Sequence, residues 1–313
     1  MAIDVELATF LAVPFPNDID DVLMTRRLTT VLTESEIADR EPLAPGLSWH
    51  DHVIDEFEYE SSVPIRIYCN ENAPSSSGAL LFFHGGAFVF GGLESEHARC
   101  VNYAQRAECV VVSVDYRLAP EHPYPAAHDD GVTALDWLRR NASSLGVDPK
   151  RIAVGGSSAG GALAAGLVLR TRDLDGEWIR AQLLIYPAID SEAATPSIEQ
   201  FYKSEPWDGE RTQKMWKLYL ADSSGKVSPY ASPARASDLT KLPPTYIMTA
   251  EEDPLRDEGI NYAERLLAAG NALELHHFAR TFHGFDVVAP GSRLSDRAHE
   301  DQAAFLKREL TES

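Results

Sequence analysis

Apolar and polar positions change their period along the chain. Up to residue 45 they recur with helical spacing: Leu7, Phe10 and Leu11 fall on one stripe, and Val22, Leu23, Leu28, Val31 and Leu32 on another. From Val53 the period shortens to two over 53–59 and 63–68, which predicts an antiparallel hairpin, with Pro64 tolerable near a strand start. Six short apolar runs follow: Ala79–Phe83, Cys109–Val114, Arg151–Val154, Ala181–Tyr186, Pro244–Thr249 and Leu273–Phe278. Helix-like stretches at 95–107, 128–144, 159–172, 256–269 and 296–310 alternate with them. Strands apolar on both faces, alternating with helices, predict a mostly parallel sheet covered on both sides, an α/β architecture.

One interval breaks this rhythm. Between the run ending at Tyr186 and the run beginning at Pro244 lies far more chain than the roughly 10–15 residues a crossover needs. Its middle, 212–220, reads as a helix carrying Met215, Trp216, Leu218 and Tyr219. An insertion at the end of a parallel strand sits over the usual binding crevice of an open α/β sheet. Residues 1–45 and 190–235 are therefore expected to form a cap over a core made of 46–189 and 236–313, with Met215, Trp216 and Tyr219 as candidate pocket walls.

Composition narrows the partners. With 48 acidic and 28 basic side chains the formal charge is −20, which opposes nucleic acid and anionic membrane surfaces. No apolar run reaches the roughly 18 residues of a membrane span, and the acidic start differs from a secretory signal's basic region. Three cysteines, Cys69, Cys100 and Cys109, make neither a disulfide framework nor a zinc pattern. A cytoplasmic location, no stable membrane association, no metal and no cofactor are expected; a homodimer stays open.

The chemistry centres on Gly156-Ser157-Ser158-Ala159-Gly160, one G-x-S-x-G between an apolar run and an Ala-rich helical stretch. A nucleophile elbow needs glycines two residues either side of a serine held on a strained strand-to-helix turn. This register makes Ser158, not Ser157, the nucleophile. No G-K-[ST] follows, so a phosphate loop is disfavoured. Upstream, the run Ala79–Phe83 leads directly into His84-Gly85-Gly86-Ala87-Phe88, a loop of small residues able to turn its amides on a ligand. Paired with the Ala159 amide, such a loop makes an oxyanion hole.

A serine needs a base, and His283, late in the chain and followed by glycine, is the strongest candidate among ten histidines. His50 and His52 alternate on a strand-like piece, His276 and His277 are adjacent within a strand, and His299 lies on the last helical stretch. The orienting acid belongs between serine and histidine in the chain. The segment after the run 244–249 offers Glu251, Glu252, Asp253, Asp257 and Glu258. Asp253 precedes a proline, as a turn-capping residue does, and a cap holds a carboxylate rigidly.

Taken together, His84–Ala87, Asp115-Tyr-Arg-Leu-Ala-Pro-Glu121 with Pro123 and Pro125–Ala127, Gly156–Gly161, Asp253–Glu258 and His283-Gly-Phe resemble the bacterial hormone-sensitive-lipase-like esterases, from about residue 40 to the C-terminus. The resemblance implies an α/β-hydrolase fold with a helical cap. It also implies a triad of Ser158, Asp253 and His283, with oxyanion donors Gly86, Ala87 and Ala159 on a loop supported by His84 and Gly85. Two residues depart from the family's pattern: Ala87 replaces the third loop glycine, and Ser157 stands where Asp or Thr is usual.

The expected activity is hydrolysis of short-chain carboxylic esters through an acyl-enzyme, with a small-molecule ester as partner. Amide hydrolysis or acyl transfer on the same triad is the rival among enzymes. A non-catalytic ligand receptor on the same fold is the rival of another class, and the retained His283 argues against it.

Overall fold

In the computed structural model, residues 3–12, 16–38, 42–55, 62–74, 76–174, 176, 178–221 and 226–311 are described, and the apolar runs assemble into one eight-stranded sheet. Its strands are β1 (Leu47–Ile54), β2 (Val63–Asn70), β3 (Ser77–Phe83), β4 (Val110–Val114), β5 (Val147–Ser157), β6 (Ile179–Ile185), β7 (Thr245–Glu252) and β8 (Leu273–Phe282). They lie in the order β1-β2-β4-β3-β5-β6-β7-β8. β1 and β2 pair antiparallel, as do β2 and β4; β4, β3 and β5–β8 run parallel.

The apolar runs lack a polar face because neither face of the sheet is wet. Successive side chains on a strand point to opposite sides. Leu81 and Phe83 enter a core shared with α4 (Ala126–Asn141), α5 (Ala159–Asp173) and α8 (Arg256–Ala268). Leu80 and Phe82 enter the opposite core, under α3 (His97–Arg106) and α10 (Arg293–Thr311). Each fully buried Leu or Phe contributes about 1.5–3 kcal/mol. The remaining helices are α1 (Val5–Ala8), α2 (Val22–Ala38), α6 (Pro196–Gln200), α7 (Gly209–Leu220) and α9 (Phe285–Val288).

Three details differ from the sequence expectation. The first strand begins at Leu47, not Val53, and Ser48–Val53 are exposed on this sheet edge, so no alternation marks them; residues 56–59 of the expected strand lie outside the described residues. β8 continues to Phe282, which pairs with Glu252 of β7. The third concerns α2, whose expected stripe faces mostly outward: Leu23, Leu28, Val31 and Leu32 are 62%, 50%, 64% and 52% exposed, while Val22 packs half-buried against the core. Several inward positions of α2 are polar. Thr25 donates to the Asp18 carbonyl, and Arg26 donates to the carbonyls of Val89 and Ala119 and pairs with Glu121. Leu7 of α1 is fully buried in the α3/α10 core. Among the described residues no helix is long and apolar enough to cross a membrane.

Candidate active site

The C-terminal ends of β3, β5, β7 and β8 bring four loops together, as parallel strands of one sheet must. β5 ends at Ser157 and α5 starts at Ala159, leaving Ser158 on the turn at φ +52, ψ −116. The two glycines of the motif are required by close approach. A Cβ on Gly156 would collide with the backbone of Gly160, and one on Gly160 with the carbonyl of Phe83. Strand, turn and helix thus share a space that side chains would fill.

Asp253 follows β7 and is fully buried. One carboxylate oxygen accepts the Leu255 amide at 2.8 Å, which caps the turn ahead of α8 and fixes the side chain. The other lies 2.8 Å from Nδ1 of His283, directly after β8. Nε2 of His283 is 3.0 Å from the Ser158 hydroxyl oxygen. The Tyr186 ring meets His283 edge-on at 4.7 Å. The other candidate acids and bases lie elsewhere. Asp257 accepts the Ser197 amide at 2.8 Å and pairs with Arg256. His276 stacks on Tyr246, His277 bonds Thr249, and His50 and His52 are exposed on β1.

After β3, residues 86–88 take φ of +116, +58 and +60 in succession. The Gly86 carbonyl accepts the amides of Val89 and Phe90. His84 is wholly buried, stacked on Tyr116 at 4.2 Å, and burial pushes its imidazole below the ordinary range. The neutral ring carries its proton on Nδ1, because the Gly85 carbonyl 2.6 Å away can only accept. Ala159 opens α5, so its amide is one that a helix leaves without an intrahelical partner.

Gly86, Ala87, Ser158 and His283 line one cavity of about 560 Å³. Its outer wall comes from Arg26, Thr29 and Ile37 of α2, together with Pro206 and Trp207. Met215, Trp216 and Tyr219 are not on that wall, which corrects the expectation for them. They are at most 3% exposed, with Tyr219 stacked on Phe88 at 3.7 Å and Trp216 packed beside it. Being large and mostly apolar, they are used as core behind the loop that follows β3. Among the described residues no cluster of three or more His, Cys, Asp or Glu could hold a metal ion.

Sequence reasoning missed a buried polar group beneath the cavity. Arg99 pairs with Glu96 at 2.6 Å and with Asp286 at 2.8 Å, and donates to the Tyr186 hydroxyl at 3.0 Å. Burial alone would raise the Asp286 carboxyl, but the charges of Arg99 and His299 and the bonds from Arg99 and Tyr186 hold it at about 2. The spacing Glu96-x-x-Arg99 was the only local signal, and on a helix it reads as an ordinary surface pair.

A serine on a strand-to-helix elbow, facing an imidazole that is backed by a buried carboxylate at the ends of parallel strands, defines an α/β hydrolase. Residues 80–287 match the family described as the alpha/beta hydrolase fold. The esterase LipI of Mycobacterium tuberculosis (strain ATCC 25618 / H37Rv) is 39% identical over 88% of this chain and 84% of its own. The arylesterase of Saccharolobus solfataricus is 36% identical over 86% and 88%. Among solved structures, a bacterial heroin esterase superposes with a TM-score of 0.94 at 39% identity, covering 99% of both chains. The chain belongs to this family, among its hormone-sensitive-lipase-like members.

Proposed function

We propose that the protein is a serine carboxylesterase acting on short-chain esters through an acyl-enzyme, with Ser158, His283 and Asp253 as its triad. The observation that carries this reading is the unbroken relay of 3.0 Å and 2.8 Å from the Ser158 hydroxyl through His283 to a fully buried Asp253. The curated relatives' names, esterase and arylesterase, support the reaction class.

Ser158 Oγ attacks the ester carbonyl while its proton passes to Nε2 of His283. Asp253 accepts the Nδ1 proton in a hydrogen bond, which fixes the tautomer and stabilises the imidazolium. The amides of Gly86, Ala87 and Ala159 receive the oxyanion. Nε2 then protonates the leaving alcohol, and a water activated by the same nitrogen releases the acid. The described parts of 1–45 and 190–235 act as the cap, since both contribute to the cavity wall. The bounded cavity supports a short acyl chain, each buried CH₂ contributing about 0.8 kcal/mol until the space is filled. Three thiols, none in a disulfide, support a reducing compartment such as the cytoplasm.

The test is a p-nitrophenyl ester series on the protein and on Ser158→Ala. kcat/KM should peak at about four to six acyl carbons and fall beyond them, as expected of a finite pocket. Ser158→Ala should lose about 10⁴-fold or more in kcat while melting normally. A serine-directed phosphonate should add one label, at Ser158. Full activity in Ser158→Ala, or labelling at Ser157, sinks the reading; turnover confined to emulsified long-chain esters sinks the chain-length profile.

A further inference from the structure

The oxyanion loop and the nucleophile's turn are held by a carboxylate from a third element. Glu96, the residue ahead of α3, is 6% exposed. Its Oε1 accepts the Ser157 hydroxyl and lies 3.5 Å from the Gly85 amide nitrogen, while Oε2 accepts the Arg99 Nε–H at 2.6 Å. Loop and strand also touch directly, since a Cβ on Gly85 would come within 2.9 Å of the Ser157 oxygen. Arg99 continues to Asp286, on the turn that follows His283, and to Tyr186, whose hydroxyl donates to Asp286 at 2.8 Å and whose ring packs against His283. One buried network therefore reaches the oxyanion loop, the nucleophile turn and the histidine loop.

Such a network is an unpromising place to keep a carboxylate. Buried ions cost several kcal/mol each unless fully paired. The triplet of Glu96, Arg99 and Asp286 carries one more negative than positive charge, beside a site where negative charge must develop. Stability and transition-state electrostatics both disfavour Glu96, which leaves geometry as its contribution.

We propose that Glu96 is a positioning residue: anchored by Arg99, it ties the Gly85 amide to the Ser157 hydroxyl, so that the Gly86 and Ala87 amides and the Ser158 oxygen keep one register while the oxyanion forms. The proposal rests on the triad and oxyanion assignment above. Its effect belongs to the transition state, so it acts on kcat and leaves KM in place.

The test uses Ser157→Ala, which keeps the Glu96–Arg99 pair intact, together with Glu96→Gln and the double variant. Each is normalised by phosphonate titration of active sites, and its melting temperature is recorded. Ser157→Ala should lower kcat about tenfold and Glu96→Gln about 10–100-fold, less than deletion of an oxyanion donor, with KM within about twofold. The double variant should be no slower than Glu96→Gln alone, because both changes cut one link. A merely structural role would lower the melting temperature and leave kcat per titrated site unchanged. Parental kcat in Ser157→Ala overturns the proposal, whether or not Glu96→Gln folds. A parent protein that the phosphonate does not label at Ser158 has instead lost the triad reading, and the proposal falls with it.

Discussion

Ala87 holds a left-handed conformation, φ +58, that an L side chain adopts at a cost of about 1–2 kcal/mol. The position does demand positive φ, as a glycine there would suggest, and this chain carries the strain. The neighbouring Phe88, at φ +60, is held by stacking on Tyr219. Ala87 has only a methyl group, so little is lost by removing it. Ala87→Gly is expected to raise stability to urea by about 0.5–1 kcal/mol, the relieved strain exceeding the added chain entropy. kcat/KM should stay within about threefold, because the amide remains. Destabilisation, or a tenfold loss of activity, would show that the methyl group is a needed contact. The proposed triad is legible at this scale because each member carries local grammar: flanking glycines for Ser158, a following proline for Asp253, a following glycine for His283. Glu96 has none. Its meaning lies in Ser157, 61 residues away, and in Arg99's contact with Asp286, 187 residues away.

Among the elements, the central strands are legible since both their faces are buried, and their runs need no alternation to be seen. β1 hides for the opposite reason, being exposed along most of its length. α2 misleads in a more specific way. Its apolar spacing is real, but the helix turns Thr25, Arg26 and Thr29 inward, Arg26 and Thr29 onto the cavity, while Leu28 and Val31 are 50% and 64% exposed. The ranking of substitutions should follow the structure. Leu28→Gln and Val31→Gln should each change unfolding free energy by no more than about 0.5 kcal/mol, where core sites of that size would lose about 2–4. Thr25→Val should cost about 1 kcal/mol, because Thr25 is 2% exposed and the Asp18 carbonyl loses its donor. Urea titration of the three variants checks the order; a Leu28 variant that loses more than the Thr25 variant would place the stripe in a core.

Over the whole molecule, acid should act through buried groups that no reading of the sequence weights, since burial depends on every layer around them. His128 of α4 is 2% exposed, stacked on Tyr230 and flanked by Tyr124, with Arg170 and Asp129 alongside. Burial, aided by the Arg170 charge, pushes its imidazole down to about 4, with the Gly166 carbonyl and Asp129 pulling the other way. The folded state therefore binds fewer protons than the unfolded chain between about 4 and the ordinary imidazole value near 6.5, and stability falls as pH falls through that window. Asp286 acts lower: its depressed carboxyl contributes fully above about 4 and is lost as pH drops toward 2. Glu258 opposes both, since burial holds its carboxyl well above the usual range and weakens the fold as pH rises. The net curve mixes these signs, so a difference between variants is the cleaner measure. His128→Phe keeps the ring stack and removes the titration. Relative to the parent it should gain about 3 kcal/mol on going from pH 7 to pH 4, the linkage of a shift from 6.5 to about 4. Urea melts of both proteins at half-unit pH steps read this directly. A constant difference between them across the window would show that His128 titrates alike in the folded and unfolded states.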